Sequence, residues 1–124
     1  MVLLDTSVWV DHLRHGDQSV VQVLESGRAL VHPFVIGEIA CGTLRARAQV
    51  MGLLGSLPKA PLASDEEVLY VIERQALMGR GLGYIDMHLL AAAAIAAGSR
   101  LWTRDKRLRR AAVELGLAYA EATH

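Results

Sequence analysis

The sequence predicts an α/β fold, a small central parallel β-sheet flanked by helices, in a single domain spanning residues 1–124. Three observations lead there. Short apolar runs that suit buried strands alternate with stretches of helical periodicity. The helical connections are long enough for right-handed crossovers between parallel strands. No internal repeat, low-complexity tract or linker divides the chain.

Val2-Leu3-Leu4 is an unbroken apolar run ending at Asp5 and reads as a strand buried on both faces. A helical turn follows over 7–14, with Trp9 and Leu13 four residues apart on one side and Gly16 as its stop. Asp17 is placed to cap a helix carrying Val20, Val21 and Leu24 and closed by Gly27. Ala29-Leu30-Val31 reads as the second strand. Pro33 stands where helices start, ahead of a stretch from Phe34 to Cys41 that is apolar except at Gly37 and Glu38. From Gly42 to Pro61 the pattern is weaker: Arg45, Arg47, Met51 and Leu54 allow a helix with a basic side, ended by Pro58 and Pro61. Ser64-Asp65-Glu66-Glu67 has capping-box spacing, followed by Leu69, Ile72 and Ala76 at helical intervals. Gly79, Gly81 and Gly83 make a loop. Ile85 to Ala97 is apolar nearly all round, the mark of a central helix packed on more than one side. After Gly98, Leu101-Trp102-Thr103 is the third strand, and 105–115 a last helix ended by Gly116, before an apolar segment from Leu117 to Tyr119.

Composition excludes several classes. The chain is 52% apolar, with 13 basic and 13 acidic side chains, too apolar and too evenly charged for disorder. Its longest apolar run, Leu89 to Ala97, falls short of the ~20 residues of a membrane span. Asp5 interrupts the N-terminal apolar stretch and no basic segment precedes it, unlike a signal peptide. Cys41 is the single cysteine, so no intrachain disulfide forms and a reducing cytoplasm is expected. Zero net charge excludes binding by sheer basicity, but not an acidic pocket beside a basic rim.

Two strands end alike, Leu4 in Asp5 and Trp102-Thr103-Arg104 in Asp105. In open parallel sheets ligands collect beyond the carboxyl ends of the strands, which puts Asp5 and Asp105 on one rim. Asp86 opens the buried helix, and Glu38 interrupts an apolar helix where structure alone does not call for an acid. Each also has a bland explanation: Asp5 and Asp105 as caps, Asp86 as a complement to a helix dipole, Glu38 as a solvated edge residue. If the four converge, electrostatics demands a counter-charge. Two carboxylates ~5 Å apart repel by roughly 3 kcal/mol at an effective dielectric near 20. All-oxygen ligands favour Mg²⁺ or Mn²⁺ over zinc, and His12, His32 and His88 lack metal-ligand spacing among themselves. An ion so held suits attack of water on a phosphate ester.

A basic segment supplies a place for phosphate. Arg104, Lys106, Arg107, Arg109 and Arg110 surround Asp105, and Arg45 and Arg47 form a second cluster. Such runs are also ordinary solvated helix faces. Aromatics are few (Trp9, Phe34, Tyr70, Tyr84, Trp102, Tyr119), so recognition of backbone and shape is expected rather than a base-by-base code. The Gly79–Gly83 loop follows a helix and lacks the full P-loop or dinucleotide pattern, which leaves a hinge or entry role.

Met1 to Trp9 resembles the opening of a PIN domain, as in VapC-type toxins of toxin–antitoxin pairs. Gly37-Glu38-Ile39, then Ile85-Asp86-Met87-His88-Leu89-Leu90-Ala91-Ala92, then Leu101-Trp102-Thr103-Arg104-Asp105 resemble its further acidic motifs in order. Leu108 stands where relatives often place an aromatic. The resemblance implies a PIN-like fold and a Mg²⁺- or Mn²⁺-dependent endoribonuclease that uses water as nucleophile. In that reading Asp5, Glu38, Asp86 and Asp105 are the catalytic and metal-binding acids, with Thr6 and Thr103 as supporting polar residues. It also implies a homodimer and a VapB-like antitoxin that inserts a segment near the site. Trp9, Leu13 and Met51 are expected in the core rather than in an antitoxin groove. A non-catalytic RNA- or partner-binding PIN module is the alternative. A phosphatase of another α/β fold is a third reading, against which stands the missing second aspartate after Asp5-Thr6-Ser7.

Overall fold

A computed structural model describes residues 1–121. In chain order it consists of β1 (Val2–Leu4), α1 (Thr6–His15), α2 (Gln18–Glu25), β2 (Ala29–Leu30), α3 (Pro33–Ala40), α4 (Arg47–Ser56), α5 (Asp65–Arg74), α6 (Tyr84–Ile95), β3 (Arg100–Trp102) and α7 (Lys106–Glu114). The three strands form a parallel sheet in the order β2-β1-β3. β1 is central because all three of its residues are apolar and have helices to cover both faces. Two further parallel bridges, Val31 to Lys59 and Leu101 to Ala118, widen the sheet at either edge. The apolar segment after α7 is thereby explained: Leu101 donates to the Leu117 carbonyl, and Tyr119 to that of Leu101.

The elements start where local chemistry starts them. Asp5, Asp17, His32, Ser64 and Asp105 each accept a hydrogen bond from a backbone N–H of the helix that follows. α6 is the central helix, with an unbroken buried run from Met87 to Ala93. α7 turns Leu108, Ala111 and Ala112 inward and its arginines outward. Trp9 is fully buried, and Leu13 and Met51 pack half-buried against the core.

The expected phase of α5 needs correction. Its buried residue is Val68, whereas Leu69 is 55% exposed and Ala76 lies outside the helix on the surface. α5 packs one face on α6 and leaves the neighbouring face to solvent. No helix among the described residues is long and apolar enough to cross a membrane.

Candidate active site

The site begins with the pairing of β1 and β3. Their register aligns Leu4 with Trp102, and the Asp5 N–H donates to the Trp102 carbonyl at 3.0 Å. The next side chains therefore meet at the carboxyl end of the sheet. Thr103 Oγ1 donates to Asp5 Oδ2, and accepts from the Asp105 N–H at 3.1 Å. On the other side, Asp5 Oδ1 accepts from the N–H groups of Ser7 and Val8 and from the Ser7 hydroxyl. Ser7 Oγ in turn accepts from the Arg104 N–H. Asp5 is thus a buried carboxylate fixed from the first turn of α1 and from Thr103 just beyond β3. Burial raises its pKa despite the hydrogen bonds that oppose the shift.

The other three acids arrive on helices. Asp105 caps α7, its Oδ1 accepting from the Leu108 N–H at 2.9 Å. Asp86 lies in the first turn of α6, where its Oδ2 accepts from the Gly83 N–H at 3.0 Å. Glu38 projects from the exposed side of α3, and its Oε1 accepts from Thr6 Oγ1 at 2.8 Å. Burial raises the Asp86 carboxyl above the ordinary value, the Gly83 N–H opposes this, and the negative charges of Asp105, Asp5 and Glu38 push it up further. Charges far apart in sequence are thus felt at Asp86.

The bland and functional readings of these residues prove compatible. Asp86 and Asp105 each spend one oxygen on a helix start, and Glu38 spends one on Thr6. Their second oxygens accept no hydrogen bond among the described residues. Among the described residues no three His, Cys, Asp or Glu side chains are placed to hold a metal ion together. The donor chemistry of these residues, all oxygen, suits a small hard cation that retains its own waters and binds through one or two carboxylates, as Mg²⁺ does.

The basic residues divide sharply. Arg104 is not a free cation. It pairs with Asp11, Asp17 and Glu121 and lies 5.5 Å from the Trp102 ring centroid. Burial opposes its charge, but the three carboxylates outweigh that and hold its pKa above the ordinary value. Arg47 is likewise committed, donating to the carbonyls of Ala40 and Gly42 beyond the end of α3. Arg47 and Arg104, both expected to face RNA, thus have partners within the protein. Arg107 lies over Gly81, where an added Cβ would stand 2.7 Å from its Nη1. Gly81 has φ +77°, so this loop needs glycine for its conformation and for the close approach. Arg45, Lys106, Arg109 and Arg110 are exposed and make no ion pair among the described residues.

Two features escaped the sequence reading. Ser7 is as much a holder of Asp5 as Thr103 is, and the available signal was a hydroxyl two residues beyond a helix-capping aspartate. His32 and His88, 56 positions apart by number, bring their rings to 6.2 Å beneath Phe34 and Tyr84. His32 Nδ1 accepts from the Phe34 N–H, and burial together with His88 pushes its pKa down to about 4.

Known proteins carry the same plan. The family model described as PIN domain matches residues 2–114. Over 121 residues the chain is 47% identical to Ribonuclease VapC32 of Mycobacterium tuberculosis strain ATCC 25618 / H37Rv, covering 98% of each chain. The identity and coverage are the same for Ribonuclease VapC32 of strain CDC 1551 / Oshkosh. With a three-stranded parallel sheet and this match over most of its length, the chain belongs to the PIN-domain family.

Proposed function

We propose that this chain is a Mg²⁺- or Mn²⁺-dependent endoribonuclease, the toxin of a VapBC-type pair. The observation that carries the reading is the 47% identity over 98% of the chain to proteins named Ribonuclease VapC32, beside a carboxylate, Asp5, held rigidly at the carboxyl end of the sheet. Carboxylates brought together at neutral pH favour bound protons or a multivalent cation. When bound, a divalent ion supplies charge neutralisation and a water of lowered pKa for attack on phosphorus. Asp5 is the rigid member, clamped by Ser7 and Thr103, and it sets the register of the site. Asp86, Asp105 and Glu38 offer their free oxygens across from it, and Thr6 orients Glu38. Arg45, Lys106, Arg107, Arg109 and Arg110 serve the phosphate backbone.

The relatives named ribonuclease support the substrate class, and their VapC name supports a VapB-like antitoxin as partner. A cytoplasmic location is proposed with it, in keeping with the free thiol of Cys41. A homodimer is proposed through the outer side of α5 and α6, where Leu69, Tyr70 and Ile95 are 55%, 66% and 47% exposed.

The test is to sequence RNA ends after brief expression of the parent and of Asp5→Asn. New 5′ or 3′ ends that appear with the parent alone support the proposal, and equal cutting by both proteins rejects it. The open spacing of the acids gives a second reading some support, a non-catalytic RNA- or partner-binding module. RNA that is bound but never cut, across Mg²⁺ and Mn²⁺ titrations, would establish that reading instead.

A further inference from the structure

Asp86 takes its orientation from a loop. Gly83, the last residue before α6, donates its N–H to Asp86 Oδ2 at 3.0 Å, so one oxygen of Asp86 follows wherever Gly83 is held. The loop has little rigidity of its own. Gly79 and Gly81 stand at φ +73° and +77°, and glycine loses more backbone freedom on ordering than any other residue. Leu77 is buried and Leu82 half-buried, which pins both ends of the segment to the core. Its tip is held by α7. The Arg107 side chain lies across Gly81, where a Cβ would stand 2.7 Å from Nη1 and 3.0 Å from Cδ. Arg80 Nη1 pairs with Glu114 Oε2 at 2.7 Å. Arg107 and Glu114 are two helical turns apart, so one face of α7 meets the loop along most of its length.

We propose that Arg80 and Glu114, together with the contact of Arg107 on Gly81, are positioning residues that strap the loop to α7 and so fix the Asp86 carboxylate for metal binding. The inference rests on the nuclease reading for what Asp86 does once positioned. The helix that carries the straps is the one that Asp105 starts, through the bond from the Leu108 N–H to its Oδ1. Asp105 and the loop that orients Asp86 are therefore referred to the same rigid element. The ion pair is partly exposed, at 27% for Arg80 and 52% for Glu114, and such pairs add little to global stability. Its effect falls instead on the loop, whose local opening costs less than unfolding the core. The charge of Arg80 is spent on Glu114, in contrast to the exposed and unpaired Lys106, Arg109 and Arg110.

The test reverses the ion pair in the full-length protein. Arg80→Glu sets two carboxylates against each other, and Arg80→Glu with Glu114→Arg restores opposite charges with the net charge of the parent. Three quantities are read: hydrogen exchange of the Gly83 amide by NMR in chelator, Mn²⁺ affinity by calorimetry, and the Mn²⁺ needed for half-maximal cleavage of a labelled single-stranded RNA of mixed sequence. In Arg80→Glu the amide should exchange about fivefold faster, with Mn²⁺ affinity and requirement weakened by about the same factor. The rate at saturating Mn²⁺ should stay within about twofold of the parent, because the strap acts on the grip on the ion. The double reversal should return all three quantities to the parent values, which a damaged fold would not do. Gly81→Ala, which must displace Arg107, should act in the same direction as Arg80→Glu. Unchanged exchange at Gly83 would overturn the proposal, and so would faster exchange with an unchanged Mn²⁺ affinity, or a double reversal that restores nothing. If the parent cuts no RNA, the nuclease reading fails, while Gly83 exchange and Mn²⁺ affinity still decide whether the strap positions Asp86.

Discussion

Thr6 Oγ1 donates a hydrogen bond to Glu38 Oε1 at 2.8 Å, joining the first turn of α1 to an acid 32 positions further along on α3. The residue after Asp5 thereby orients an acid that no strand end positions. Thr6→Val keeps the shape and removes the bond. Cleavage should then need about tenfold more Mn²⁺ for half-maximal rate, the low end of what removing an outer-shell partner costs. Thermal unfolding should stay within a few degrees of the parent, because the bond lies at the surface. An unchanged metal requirement would detach Thr6 from the site.

The acidic pocket costs stability when no cation fills it. Asp5 and Asp86 have raised folded-state pKa values, so the folded chain holds more protons than the unfolded one between about pH 4 and those raised values. Their contribution to stability is present in full below the unfolded pKa and is lost as pH rises through the folded one. Asp86→Asn should therefore unfold at a temperature equal to or above that of the parent at pH 7 in chelator, while abolishing cleavage. A marked fall in unfolding temperature would show that the charge of Asp86 stabilises the fold.

Arg104 should behave as a structural residue. Arg104→Ala leaves Asp17 without its cationic partner, and a loss of about 2–3 kcal/mol in urea unfolding is expected. Lys106→Ala with Arg109→Ala should instead weaken RNA binding and leave stability nearly unchanged. The reverse pattern would return Arg104 to the RNA-binding surface.

His32 gives an opposite pH signature. Its folded pKa of about 4 lies below the ordinary histidine value of 6.5, so the unfolded chain takes up a proton first as the medium acidifies. Stability is lost between about pH 6.5 and 4, by at most about 3 kcal/mol. His32→Asn retains an acceptor for the Phe34 N–H, and it should flatten this part of the pH–stability curve relative to the parent. Identical curves would place the proton uptake elsewhere.

Much of this plan is legible in the residues themselves. Asp5 and Asp105 betray a shared rim because two apolar strands end in the same way, and parallel pairing then fixes their neighbourhood. Glu38 stands out as an acid in an apolar helix. What sequence hides is partnership at long range. Arg104 reads as one of a run of cations, yet Asp11 and Asp17 that claim it lie 93 and 87 positions away. The phase of α5 is hidden for a related reason. Val68 and Leu69 are equally apolar, and only the one-sided contact with α6 decides which is buried. The meeting of His32 and His88 depends likewise on how α3 and α6 cross, which no spacing within either helix records.

The most direct measurement is a calorimetric titration of Mn²⁺ into the parent and into Asp86→Asn at neutral pH. Saturable binding to the parent, weakened at least about tenfold by the substitution, is the predicted result. Equal affinity in the two proteins, or heat that never saturates in either, would mean that these acids do not act together on a cation.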